Sequence, residues 1–463
     1  MSSNSKKAFR SILDSARSKS KSFRSIAEDS GDLLKGYYSA EGSDNILEGR
    51  YSAEALSAEI SKEHDLQRQY RPLFGKANIN TAPIGCHPDF IYLRGTDRKE
   101  YHHICSLFID IKNSTRLSFL YPLETVADIK NAILKAASEV IRCLDGYVHR
   151  FMGDAVLAYF GNRRDSEEDS VVNALNCAAL LESLMVGTIL PVLEEDGIRG
   201  SDLGFRIGLD YGPKEKVLWA SYGFNEVNEV TATSFYVDVA AKLQAMAKKN
   251  QVMLGDSIIS KIDLHEDFLN VKVREQKGVP VEVGFLDRVY TDGHGNQIRY
   301  KVRELNHAAY RDLLPFPPEE KQTFSGSRSV GNPYIWFKCF TVEDERLEEY
   351  KSVSRVLPKF KKLIFSLTAS KGLANGQDLP LTAKFTKRNY GQEAKNKQGS
   401  GVFPKGEHQI VLLRDIGDSP FKPADKFEFD ESTEYRGLHT MECEVRDRHG
   451  VVVYRQTIGV FIE

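Results

Sequence analysis

His103-Ile104-Cys105-Ser106-Leu107-Phe108-Ile109-Asp110 is an apolar run that stops on a carboxylate, and it reads as the first strand of a domain. Around it, residues 101–305 alternate apolar strands with amphipathic helices, the pattern of an α/β or α+β domain. A long helix is expected from about Leu123 to Leu144. A hairpin pattern follows: Gly146-Tyr147-Val148-His149-Arg150-Phe151, a tip at Met152-Gly153-Asp154, and Ala155-Val156-Leu157-Ala158-Tyr159-Phe160-Gly161. Asp110 and Asp154 thus project from adjacent strand ends. Phosphoryl chemistry on a triphosphate needs hard divalent cations held by oxygen, and such a carboxylate pair supplies the ligands. Gly153 lets the chain turn tightly beside them. Either feature alone is ordinary, since many strands end in Asp and Gly-Asp is a common turn. The order of the parts is less ordinary. Strand-Asp-Ile, long helix and Gly-Asp tip are followed by Phe205-Arg206-Ile207-Gly208-Leu209-Asp210-Tyr211-Gly212, then by a helix with polar residues one turn apart.

The chain has 463 residues, enough for two domains and an extension. Its formal charge of −2 argues against a nucleic-acid binder, which carries a basic excess. The six cysteines form no C-x-x-C pair, so neither a zinc site nor a disulfide framework is expected, and a reducing cytosol fits. No run approaches a membrane span, and the N-terminus lacks a secretory apolar region. A cytoplasmic location follows as an expectation.

The constellation over about residues 100–305 resembles the catalytic domain of class III nucleotidyl cyclases, the adenylate and guanylate cyclase family. Leu107-Phe108-Ile109-Asp110-Ile111-Lys112-Asn113-Ser114-Thr115 looks like that family's first metal motif, and Met152-Gly153-Asp154-Ala155-Val156-Leu157-Ala158-Tyr159-Phe160-Gly161 like its second. The resemblance implies two divalent cations per site, Mn2+ or Mg2+, on Asp110, Asp154 and the backbone carbonyl of Ile111. It implies a ferredoxin-like α+β sheet, and a head-to-tail homodimer in which one protomer gives the metals and the other the base-reading and transition-state residues.

Departures from the purine cyclases narrow the resemblance. Arg150 stands where adenylate cyclases read the base with Lys, and Thr231 where they place Asp. A guanidinium suits the O2 of a pyrimidine, whereas a threonine hydroxyl can donate or accept and does not choose between cytosine and uracil. Asp238 and Lys242 replace the usual Asn and Arg on the final helix. They lie four apart and share a face, as catalytic residues or as a plain surface ion pair. The segment Val237-Asp238-Val239-Ala240-Ala241-Lys242-Leu243-Gln244 is similar to the pyrimidine cyclases of Pycsar antiphage systems. That implies a phosphorus–oxygen lyase acting on CTP or UTP, with cyclic CMP favoured over cyclic UMP, and a separate effector that reads the cyclic nucleotide. A catalytically silent, nucleotide-binding regulator of the same fold is the alternative.

Three regions are expected: an N-terminal helical and irregular extension (1–98), a cyclase domain (99–310) and a C-terminal β-sandwich (325–463) resembling the adenylyl/guanylyl and SMODS C-terminal sensor domain. The basic N-terminus places Phe9, Ile12, Leu13 and Ala16 at helical spacing, which suits a frayed arm, a helix docked on its own protein, or one touching a membrane or partner. Leu314-Pro315-Phe316-Pro317-Pro318 breaks the pattern, and 325–331 reads as flexible. Strands are expected at Tyr334–Phe340, Lys362–Thr368, Gln409–Leu413, His439–Val445 and Val451–Phe461. His102 and His103 read as structural, Arg206 as a brace of the sheet, Ser114 as altering a wall of the nucleotide pocket where the family has an aromatic, and Lys384, Lys387, Arg388 and Tyr390 as a ligand patch or, favoured, a solvated strand face.

Overall fold

A computed structural model describes residues 3–33, 64–85, 87–224, 227–374, 379–412 and 419–463. The elements that matter for the site are, in chain order, helix α1 (Ser3–Leu33), strand β1 (Ile104–Lys112), helix α2 (Leu123–Cys143), the hairpin β2 (Tyr147–Met152) and β3 (Ala155–Phe160), and helix α3 (Glu167–Leu184). Then come β4 (Gly204–Gly212), the hairpin β5 (Leu218–Phe224) and β6 (Val227–Thr233), helix α4 (Phe235–Met246), β7 (Gln251–Gly255), β8 (Leu269–Asn270) and β9 (Val302–Leu305).

The alternation along β1 sorts the molecule into two faces. Cys105, Leu107, Ile109 and Ile111 are fully or nearly fully buried and join α2 and α3 in the main core. Ser106, Phe108 and Asp110 point the other way, because successive strand residues alternate sides. β1 is central in a seven-stranded sheet of order β2-β3-β1-β4-β7-β9-β8. Its neighbours β3 and β4 are both antiparallel to it. The order β2-β3-β1-β4, with α2 and α3 as crossovers, is the split βαβ arrangement of a ferredoxin-like sheet. The fold is α+β, as expected, and the long helix and the hairpin fall within a few residues of their sequence-derived bounds.

On the second face α4 lies across the sheet. Ser234 caps it, accepting from the Tyr236 amide at 3.3 Å. The helix crosses β4 at Gly208, where any side chain would collide: a Cβ there would stand 2.2 Å from both the Ala240 carbonyl oxygen and the Gln244 nitrogen.

The N-terminal helix is docked on its own protein, one of the expected readings. Ala8, Phe9, Leu13 and Ala16 are buried in the same core as α2 and α3. Its basic residues meet an acidic patch: Lys6 and Arg10 bond Glu195 at 2.9 and 2.8 Å, and Arg17 bonds Asp196 at 2.8 Å. These exposed pairs orient the helix more than they stabilise it. Tyr70 and Phe74 belong to that core too, so the extension before β1 packs into the same core as α2 and α3.

One stretch departs from the expectation of no membrane-length run. Glu167–Glu195, with 29 residues, is long and apolar enough to span by length and composition. Yet 78% of its apolar window is buried inside the protein, because it is the core helix between β1, β4 and α2.

The segment expected to be flexible is instead tied down. Asp312 accepts from the Ser327 hydroxyl at 2.5 Å, the Arg328 amide at 2.7 Å and the Ser329 hydroxyl at 3.1 Å. The fully buried Lys321 donates to the carbonyls of Asp312 and Leu314 at 2.7 and 3.2 Å. Ser and Gly content suggested mobility, but three donors converging on one carboxylate override composition.

Beyond it, a four-stranded sheet (Ile335–Glu343, Arg346–Tyr350, Lys362–Ser370 and Pro423–Ser432) faces a five-stranded one (Val356–Leu357, Leu381–Asn389, Gly401–Ile410, Gly437–Arg446 and Val452–Ile462). Both sheets fill one apolar core with alternate residues such as Phe337, Phe365, Phe385 and Tyr454. The strand expected at Gln409–Leu413 runs earlier, Gly401–Ile410, and Leu413 lies outside the described residues. The two halves are bonded: Asn176 of α3 donates to the Val353 carbonyl at 2.7 Å, and Arg436 donates to the carbonyls of Ser260 and Lys261 at 3.1 and 2.8 Å. The basic strand face is not plainly solvated, since Lys387 pairs with the buried Glu431 at 2.7 Å. Cys105, Cys143, Cys177, Cys339 and Cys443 are free and buried; Cys86 lies outside the described residues.

Candidate active site

Asp110 is the last inward-facing residue of β1 on the α4 side, and Ala155 of β3 is its register partner. The β2–β3 connection is the two-residue Gly153-Asp154 turn, with Gly153 at φ +66°. A glycine at the first central position of such a hairpin accepts this angle without strain. The Ile111 amide donates to the Asp154 carbonyl at 3.2 Å, so the sheet ladder itself sets Asp154 beside Asp110 and Ile111. The structure therefore brings the three together.

Each carboxylate is steadied through one oxygen. Arg206 of β4 donates to Asp110 Oδ2 from Nε, at 2.7 Å, and from Nη2. The Ser114 hydroxyl, buried at the start of the helix Ser114–Leu120, donates to Asp154 Oδ2, and Lys130 of α2 stands 3.8 Å from the same atom. Both Oδ1 atoms are left without a hydrogen bond among the described residues. Two carboxylate oxygens and the Ile111 carbonyl form an all-oxygen donor set, which fits a hard divalent cation sharing its shell with phosphates. No three His, Cys, Asp or Glu side chains converge among the described residues, so protein carboxylates alone do not complete a cage. Arg206, expected to brace the sheet, does more: it orients one of the two aspartates.

A second group forms around the hydroxyl of Tyr159, on β3. Thr231 of β6 lies 3.2 Å from it, and burial with the charges of Arg150 and Asp238 perturbs it. Arg150 of β2 makes an ion pair with Glu229 of β6. Asp238 and Lys242 are exposed on α4, and the simple ion pair between them does not form: Lys242 Nζ donates to the Asp238 backbone carbonyl at 3.5 Å and sits 5.9 Å from the Tyr290 ring. Thr231 thus sits at the Tyr159 hydroxyl, where the charges of Arg150 and Asp238 are felt, with Lys242 one helical turn from Asp238. Sequence reading missed Glu229, Tyr159 and Lys130, because each gains its meaning from strand pairing or helix packing between distant segments; Ser114, read only as altering a wall of the nucleotide pocket, instead bonds Asp154. His102 and His103 are structural as expected, with His103 bonded to Ser170 at 3.2 Å.

Beneath α4, four residues along β4 from Arg206, Asp210 is fully buried. The Ser257 hydroxyl, the Tyr300 hydroxyl at 2.9 Å and the Tyr211 amide at 3.0 Å all bond its Oδ1, while Oδ2 has no hydrogen-bond partner among the described residues. Burial pushes its carboxyl up to about 8, against which these bonds act. A carboxyl raised by folding stabilises the protonated fold. That contribution is complete below its ordinary value of 3.8, declines as pH rises, and is gone above about 8. Asp210→Asn should therefore gain stability relative to the unsubstituted protein as pH climbs towards 8 and level off above it. Denaturant midpoints of the two proteins across that range measure the gap; a gap independent of pH would contradict the assignment.

Three comparisons show what the chain is similar to. Residues 319–463 match the adenylyl/guanylyl and SMODS C-terminal sensor domain. A cytidylate cyclase of Escherichia coli is 39% identical over 412 residues, covering 87% of this chain and 88% of that protein. A cytidylate cyclase of Staphylococcus aureus is 32% identical over 402 residues, covering 85% and 87%. Among solved structures, the adenylyl cyclase CyaB of P. aeruginosa aligns with a TM-score of 0.37 at 18% identity, over 45% of this chain and 95% of that one. A ferredoxin-like sheet with paired carboxylates and a C-terminal sensor sandwich is the layout of a nucleotidyl cyclase. Within that class, the chain belongs to the cytidylate cyclase family.

Proposed function

We propose that the protein converts CTP to 3′,5′-cyclic CMP and pyrophosphate, as a second-messenger synthase in bacterial defence against phage. In this reading the ribose 3′-oxygen bonds to the α-phosphorus, the bond from that phosphorus to the bridging oxygen breaks, and pyrophosphate departs while the hydroxyl proton is lost. The observation that carries the reading is the meeting of Asp110, Asp154 and the Ile111 carbonyl at neighbouring strand ends. Those three would hold two divalent cations, Mn2+ or Mg2+, which supply charge neutralisation over the triphosphate and acidify the attacking hydroxyl. Arg206, Ser114 and Lys130 keep the carboxylates in place. Lys242 binds the phosphates, Asp238 orients the ribose, and Arg150 with Thr231 reads the base.

The two residue groups belong to two copies of the chain in a homodimer, each site taking its aspartates from one protomer. Large apolar side chains left exposed next in sequence to both groups support this: Phe151, Met152, Phe224 and Val227. Residues 99–310 are assigned to catalysis and 325–463 to sensing, with 1–98 as the extension. The five buried free cysteines suit a cytoplasmic setting. The product would be read by a separate effector.

The test is turnover of each of the four ribonucleotides with manganese, measuring cyclic product and pyrophosphate together. CTP is expected to be consumed fastest, with one pyrophosphate per cyclic nucleotide. Preference for ATP or GTP would refute the base assignment, and tight binding without turnover would favour the silent-regulator reading.

A further inference from the structure

Arg150 and Glu229 come from strands far apart in sequence, yet they face each other as an ion pair with side chains 48% and 32% exposed. An exposed surface pair is usually worth little to stability. This one sits among the residues read above as facing the base. On the inner side stands His149, buried, with Nε2 4.0 Å from Glu229 Oε2. Burial lowers the imidazole to about 4, so at neutral pH it brings no charge to compete with Arg150 for the carboxylate. Thr231 follows two residues after Glu229 on β6, held to the Tyr159 hydroxyl.

The chemistry of the pair is directional. A carboxylate only accepts and a guanidinium only donates. Edge to edge they offer one acceptor followed by two donors, the sequence of groups that guanine shows along its Watson–Crick edge. Cytosine is complementary throughout: its N4 amine donates, and its N3 and O2 accept. Uracil presents O4 to the carboxylate and an N3 hydrogen to the guanidinium, two mismatches in three. We propose that Glu229 selects the base, accepting a hydrogen bond from the cytosine N4 amine while Arg150 donates to N3 and O2. The assignment rests on the cytidylate reading above and supplies what a threonine hydroxyl cannot, a group that tells the amine from a carbonyl. Glutamate accepting from cytosine N4 is a recurrent pairing, and one good base-edge contact discriminates by roughly tenfold or more.

Two measurements test it. The first compares kcat/KM for CTP and UTP in the full-length protein and in Glu229→Gln, whose amide can turn either way. The CTP-to-UTP ratio is expected to fall by about tenfold or more. The second uses 4-desamino-CTP, which lacks only the amine. The unsubstituted protein should lose about tenfold on it relative to CTP, whereas Glu229→Ala should treat the two alike. An unchanged CTP-to-UTP ratio in Glu229→Gln, or full activity of the unsubstituted protein on 4-desamino-CTP, overturns the proposal and leaves Glu229 as a mere tether of Arg150. The second measurement needs no variant, so a folding defect cannot hide the answer. Failure of the cytidylate reading shows separately, as a preference of the unsubstituted protein for another nucleotide.

Discussion

Asp154→Ala should abolish cyclic nucleotide formation, by roughly a thousandfold or more, while leaving the fold intact. The side chain lies at a solvent-accessible hairpin tip, where its protein partners are the Ser114 hydroxyl and Lys130. Losing it creates no cavity in the core, and the neighbouring Gly153, which holds the turn angle, is untouched. Removing Lys242, on the opposite group of residues, should be similarly disabling. In the proposed homodimer the aspartates and Lys242 serve one site from two protomers, so mixing the two dead variants is expected to restore activity. At equal amounts half of the dimers are mixed, each with one intact site of two, so about a quarter of the full rate should return. Activity assays on the single variants and on the co-refolded mixture measure this. Full activity of Asp154→Ala would remove the metal assignment. Dead variants that never complement would place the whole site within one chain.

Gly208→Ala should have the largest effect on stability, costing about 3 kcal/mol. The added Cβ meets backbone on both sides, the Ala240 carbonyl and the Gln244 nitrogen at 2.2 Å, so no side-chain rotation relieves it. Either β4 bends away or α4 lifts. Lifting α4 uncovers Val239 and Leu243, which are fully buried, and displaces Asp238 and Lys242 together. Turnover and stability should therefore fall in the same variant, read as a lowered denaturant midpoint and a lowered kcat. Gly293→Ala is the matched control: nothing stands within 4 Å of a Cβ there, and no change is expected.

Local pattern made part of this molecule legible. The apolar run ending at Asp110 has to be a buried strand, since both of its faces need apolar neighbours. The Gly-Asp turn has to be a tip, since Gly153 takes a left-handed angle. The helix Leu123–Cys143 and the sandwich strands at Ile335–Glu343, Lys362–Ser370, Gly437–Arg446 and Val452–Ile462 announce themselves by spacing, whereas others such as Pro423–Ser432 do not. Composition misled where side-chain bonds decide order, as at Ser327 and Ser329, whose hydroxyls are captured by Asp312. The expectation of no membrane-length run overlooked Glu167–Glu195, which is apolar and long enough but is a core element of this fold.

By itself, the sequence determined the chemistry available: a carboxylate near the end of an apolar strand, a second one in a Gly-Asp turn, a guanidinium four residues before it, and a polar pair one turn apart on a helix. Those are properties of neighbours along the chain, governed by short-range sterics and periodicity. Only the tertiary structure decided how these groups are used. Arg206 reaches Asp110 from 96 positions away because β4 pairs with β1. Glu229, on the strand that pairs with β5, meets Arg150 of β2 from 79 positions away. Strand pairing between distant segments depends on the packing of the whole sheet, and no local pattern encodes which partner a charged side chain will meet.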